Sequence, residues 1–108
     1  MAYSQDYLEY VLDQLSQFGD IQIKKMFGGV GIFHDGLMFG MIGGDIFRLK
    51  VDESNIADYE ARGMQPYSSG NKKKSMPYWE VPADVIEDPE LLKVWADKSY
   101  QAAVKAKK

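Results

Sequence analysis

The apolar positions in the first half of the chain change their period, and the change marks its elements. Tyr7, Leu8, Val11, Leu12, Leu15 and Phe18 recur at three- and four-residue intervals, the spacing that lines one side of an α-helix. Ser4 stands where an N-cap belongs, Asp6 falls in the first turn and Gly19 follows the last periodic residue. The pattern predicts an amphipathic helix that stops there. Its other side, Glu9, Asp13, Gln14 and Gln17, is polar.

After Asp20 the period falls to two. Ile21 and Ile23 alternate with polar residues in a first strand. Asp35-Gly36 between two apolar runs predicts a two-residue hairpin, because a type I′ turn needs positive φ at both central positions. A second turn, at Gly43-Gly44 or Gly44-Asp45, returns the chain into IFRLKV. With a regular two-residue turn, Ile32 stands opposite Phe39, Gly31 opposite Gly40 and Val30 opposite Met41. One face then carries Gly31, Phe33, Met38, Gly40, Ile42, Phe47, Leu49 and Val51, the expected seat for helices. The other carries Val30, Ile32, Phe39, Met41, Ile46, Arg48 and Lys50, apolar at one end and cationic at the other.

VDESNIADYEARG predicts a short helix with Asp52 or Ser54 as cap and Gly63 at its end. MQPYSS and KSMPYWEVP predict two strands, with Pro66 and Pro77 at edges or bulges because proline has no N–H to give a ladder. Trp79 is expected in the core and Tyr78 at its rim. Asp88 as N-cap and Pro89 at N1 open a last helix, with Leu91, Leu92, Trp95, Ala96, Ala102 and Ala103 inward. The order α-β-β-β(-β)-α-β-β-α predicts one domain over residues 1–108, a two-layer α+β fold with helices packed on an antiparallel sheet.

A hydrophobic content of 45% over 108 residues supports a packed core rather than disorder. The absence of cysteine removes disulfides, thiolate metal sites and a cysteine nucleophile. No signal peptide is recognisable at the N-terminus, and no apolar run reaches the roughly 18 residues of a membrane span. A cytoplasmic protein with no membrane contact is expected. The net charge of -3 opposes a surface-wide nucleic-acid footprint. It leaves a local patch, Lys72, Lys73 and Lys74 with Arg48 and Lys50, as the nucleic-acid alternative.

Candidate chemistry is thin. GGVGIF departs from the phosphate-binding G-x-G-x-x-G because His34 takes the third glycine's place and a strand, not a helix, follows. His34 is the only histidine, and neighbouring strand residues point to opposite faces, so Asp35 is poorly placed to orient it as a base. Asp84, Glu87, Asp88 and Glu90 match no metal-binding loop and suit the start of a helix. No catalytic residue, metal ligand or cofactor is predicted.

Read in order, Met26-Phe27-Gly28-Gly29, the Asp35-Gly36 turn, Leu49-Lys50-Val51-Asp52 and Tyr78-Trp79-Glu80-Val81-Pro82 resemble the N-terminal domain of the TfoX (Sxy) family, regulators of DNA transformation competence. The resemblance runs from about Leu15 to Ala103. It implies a non-enzymatic regulatory module with a secretion-chaperone-like fold and a tendency to dimerise. Two-domain members carry a further helical domain that this chain is expected to lack. On this reading the second sheet face, at Val30, Ile32, Phe39, Met41 and Ile46, is the expected interface for a homodimer or an unknown protein partner.

Overall fold

The computed structural model describes residues 4–26, 29–44, 46–64, 66–68 and 75–107. Helix α1 (Gln5–Gln14) begins as its sequence dictates, with Ser4 Oγ accepting the Tyr7 N–H at 3.2 Å. It tightens into a 3-10 turn, Leu15–Gln17, and Gly19 leaves that turn at φ +133°. Four strands follow: β1 (Gln22–Met26), β2 (Gly29–His34), β3 (Leu37–Gly43) and β4 (Ile46–Lys50). Then come α2 (Ile56–Glu60), β5 (Pro66–Ser68), β6 (Ser75–Glu80), α3 (Ala83–Ile86) and α4 (Pro89–Lys107). The sheet is antiparallel in the order β1-β2-β3-β4-β6-β5. The expected α+β architecture is present; α3, one turn long, is too short to show in a periodicity.

The first hairpin turn obeys its chemistry. Asp35 and Gly36 take φ +50° and +79°, the signs a type I′ turn requires. Gly43 pairs with Ile46, which selects the later of the two possible second turns.

Beyond the first turn the register slips. Phe33 faces Met38, but Ile32 faces Gly40, so Phe39 is an extra residue on β3. Such a bulge turns over everything beyond it relative to a regular ladder. Val30, Ile32 and Phe39, expected on the second face, therefore lie in the core, at 1%, 0% and 0% exposure. Gly31, Phe33 and Met38, expected under the helices, lie on the opposite face. Gly40, Met41 and Ile42 of β3, together with β4, keep their expected sides, because their mutual pairing lies on the far side of the bulge.

The helix-facing rows follow from the pairing. Ile23, Ile32, Gly40, Leu49 and Trp79 cross five strands; Lys25, Val30, Ile42 and Phe47 form the next row. Leu8, Val11 and Leu15 from the first helical segment, and Leu92, Trp95, Ala96 and Ala103 from α4, join this core. Gly40 is closely packed: a Cβ there would stand 3.1 Å from the Arg48 carbonyl oxygen and 3.2 Å from Leu49 Cδ2.

The prolines sit where a missing N–H is tolerated. Pro66 is on the edge strand β5. Trp79 faces Pro66 and Ser75 faces Ser68, four steps along β6 against two along β5, and Pro77 lies inside that irregular span. Its carbonyl accepts the Val51 N–H at 2.9 Å.

At α2 the expected caps are displaced. Asn55 takes the cap position without a side-chain cap bond. Asp52 closes a turn instead, its Oδ1 accepting the Ser54 N–H at 2.8 Å. Asn55 is buried and ties two backbone groups, accepting from Asp52 N at 2.8 Å and donating to the Lys50 carbonyl at 3.2 Å. At α4 the expectation holds: Asp88 Oδ1 accepts the Leu91 N–H at 3.3 Å, and Pro89 opens the helix. None of the described helices is long and apolar enough to cross a membrane.

Candidate functional site

The sheet face turned away from the helices is unusual for its side chains. Lys24, Gly31, Met41, Arg48 and Glu80 form one row across five strands, and Gln22, Phe33 and Met38 another. Ile46 and Lys50 share this face by their spacing on β4. A one-sided antiparallel sheet normally alternates apolar inward and polar outward. Here Phe33, Met38, Met41 and Ile46 occupy outward positions and are only partly buried, while the buried side chains of the four helices join the core on the other side.

The charge of this face differs from that of the chain. Among the described residues its strands carry three cations, Lys24, Arg48 and Lys50, against one carboxylate, Glu80, whereas the whole chain is net -3. Lys50 Nζ stands 5.3 Å from the centre of the Tyr78 ring. Tyr78 is only 7% exposed, deeper than the rim position expected for it, while Trp79 packs against the core from the helix side.

The sequence-expected interface is thus divided. Met41 and Ile46 are on the open face; Val30, Ile32 and Phe39 are interior and present no surface. Phe33 and Met38, assigned by the regular register to the helix side, take their place. The one local signal of this was Gly40, since glycine inside a strand accompanies bulges as well as close packing. Of the nucleic-acid set, Arg48 and Lys50 stand on the open face; Lys72, Lys73 and Lys74 lie outside the described residues.

His34 is committed to packing on the helix side. Its ring is edge-on to Phe18 at 5.1 Å and to Tyr100 at 4.9 Å. Its Nδ1 lies 2.6 Å from the Asp20 carbonyl oxygen, a contact that places a proton on that nitrogen. Asp35 comes within 3.7 Å of Nε2, nearer than strand alternation suggested, because it has already entered the turn. Asp20 supplies the backbone anchor.

Two carboxylates of the acidic cluster before α4 have partners within the fold. Asp84 pairs with Arg62, whose guanidinium also lies 5.5 Å from the Trp95 ring centre, and Asp88 caps α4. Among the described residues, no group of three or more His, Cys, Asp or Glu could hold a metal ion.

Three groups among the described residues have displaced ionisation, Asp52, Tyr59 and Tyr78, the last raised by burial. The Ser54 hydroxyl beside Asp52 holds that carboxyl below its ordinary value. Burial raises the Tyr59 phenol well above its usual range. The Tyr59 and Ser99 hydroxyls are neighbours, yet neither reaches hydrogen-bond geometry.

Set beside known proteins, residues 13–103 match the model of the TfoX N-terminal domain. No curated protein matches the chain.

Proposed function

Because the chain belongs to the TfoX N-terminal domain family, we propose that it is a non-enzymatic regulatory module, similar to those that control DNA transformation competence, acting in the cytoplasm through protein contacts. The observation that carries this reading is the open sheet face, where Phe33, Met38, Met41 and Ile46 are partly exposed while the buried side chains of the described helices join the core on the other side. Adjacent apolar side chains left partly exposed on a sheet face are the usual mark of a contact surface. His34 supports the same reading, since it is engaged by Phe18, Tyr100 and Asp20 rather than presented to a substrate.

The test is photo-cross-linking in the native cell. A photoreactive amino acid in place of Met41 is expected to give a discrete protein adduct, and one in place of the exposed Glu9 is expected to give none. A folded Met41-substituted protein that forms no adduct would overturn the reading. An adduct of two identical chains would identify the partner as a second copy, the homodimer that the family resemblance implies.

A further inference from the structure

We infer that the outer edge of β1 takes an extended acidic segment of a partner protein as an added strand, with successive carboxylates opposite Lys24 and Lys25 and an apolar residue opposite Ile23. This goes beyond the interaction reading above: it concerns the rim of the sheet and does not depend on what meets the open face.

The two edges of the sheet are built differently. β5 is three residues long, contains Pro66 and pairs irregularly with β6, all common ways of blunting an edge. β1 is five residues long, contains no proline and pairs with β2 residue for residue from Gln22 to Met26. Among the described residues, no strand lies on its other side. Alternate residues of an antiparallel edge strand turn N–H and C=O outward, so β1 offers a regular ladder to an added strand. Its side chains are accessible on both faces, since Gln22, Ile23, Lys24 and Lys25 are all exposed. Ile23 shares a helix-facing row with Ile32 and Leu49, both fully buried, yet is itself 44% exposed. α4 lies over β3 and β4, well inside the edge; an apolar residue added opposite Ile23 would cover it.

Charge selects among occupants. Lysine on an edge strand is an ordinary guard against pairing, and what it excludes also defines what it admits. β1, β2 and β3 contain Lys24 and Lys25 and no carboxylate, and neither lysine forms an ion pair with a described residue. A second copy pairing antiparallel along the whole of β1 would set Lys24 against Lys24, and like charges directly opposite are destabilising. Nucleic acid matches the charge but has no peptide ladder to add. A strand with two successive carboxylates satisfies both requirements, because its successive side chains point to opposite faces, as those of Lys24 and Lys25 do. The segment then reads acid-acid-apolar if it runs antiparallel to β1, and apolar-acid-acid if it runs parallel.

The experiment uses the labelled peptide Thr-Val-Glu-Glu-Val-Thr, which reads alike in both directions and so serves either strand polarity, with Thr-Val-Lys-Lys-Val-Thr as its control. Binding to the full chain is read by fluorescence anisotropy at low and high salt. The Glu peptide is expected to bind at least about tenfold tighter than the Lys peptide, with the gap narrowing as salt screens the charges. Two further Glu peptides carry N-methyl groups on alternate backbone nitrogens, one at odd and one at even positions. One of them is expected to lose binding and the other to keep it, because a single set of N–H groups faces β1. The double variant Lys24→Glu, Lys25→Glu is expected to reverse the preference and Lys24→Gln, Lys25→Gln to abolish it, with folding checked by circular dichroism. The inference is overturned by no binding of the Glu peptide, by equal affinity for the Glu and Lys peptides, or by a preference that survives loss of the lysines. It is also overturned unless one, and only one, of the methylated peptides loses binding, since a contact made by charge alone would spare both. Tighter binding of an oligothymidylate would assign the lysines to nucleic acid, and a dimer in sedimentation equilibrium that the Glu peptide splits would assign the edge to a second copy; either overturns it. A protein adduct at position 41 together with no binding of the Glu peptide would remove this inference and leave the interaction reading in place.

Discussion

Phe39 stacks on Phe18, their ring centroids 4.9 Å apart and their planes 27° from parallel. A regular Asp35-Gly36 hairpin would have put Phe39 on the face away from Phe18; the bulge brings it to the helix side. Tyr100 of α4 meets the Phe39 ring edge-on at 6.1 Å, so a single extra residue joins β3 to both the 3-10 turn and the last helix. Phe39→Ala is expected to cost about 3–5 kcal/mol, as for other fully buried phenylalanines. Met41→Ala, two residues on and partly exposed, is expected to cost about 1 kcal/mol. Urea denaturation measures both, and equal losses would contradict this register.

The glycines make a graded series. A Cβ on Gly29 would run into the Ile42 backbone oxygen; on Gly40 it would press on Arg48 O at 3.1 Å; on Gly43 it would meet nothing within 4 Å. Overpacking of this kind costs about 1–3 kcal/mol. Alanine substitution should therefore destabilise in the order Gly29, Gly40, Gly43, with the last within about 0.5 kcal/mol of the parent protein. Thermal midpoints would expose any other ranking.

Asn55 is a structural polar residue. It is 2% exposed and bonds both Asp52 N and Lys50 O. Asn55→Ala leaves buried backbone groups without partners, an expected loss of about 1–3 kcal/mol. Chemical denaturation showing no loss would mean that water replaces the side chain.

Tyr59 governs behaviour at high pH. Burial raises its folded-state pKa above the usual 10.0, so the unfolded chain ionises first. The stabilisation is complete below pH 10 and fades as pH rises from there toward the folded value. Tyr59→Phe should flatten the fall in stability above pH 10. The slope should not vanish, because burial also raises Tyr78. At neutral pH the substitution should be nearly neutral, since the hydroxyl reaches no partner. Melting curves from pH 7 to pH 11 give both answers, and an unchanged alkaline slope would rule Tyr59 out as a contributor.

Much of the fold was readable because its signals are local. Ser4, Asp88 and Pro89 cap helices where their sequence neighbours require it, Asp35-Gly36 turns as its φ values demand, and the helical stripes of α1 and α4 are the buried ones. Each depends on interactions across a few residues. The motif set also carried the family resemblance, and the alternation along β3 and β4 alone places Met41, Ile46, Arg48 and Lys50 on one face.

What the chain alone did not decide was which face of β2 is buried. Alternation specifies register strongly only when one face is polar. In VGIFH and LMFGMI both faces read as apolar, so a ladder with or without the bulge satisfies the local pattern equally well. The choice was made by residues distant in sequence: Phe18 and Tyr100 offer Phe39 a buried aromatic seat, and Gly40 gives the shifted backbone room beside Leu49. The sequence by itself determined the strands and the longer helices, the Asp35-Gly36 turn and the family. Tertiary packing determined which apolar residues became the core and which were left on the open face, because only burial against the helices distinguishes two faces that are alike in composition.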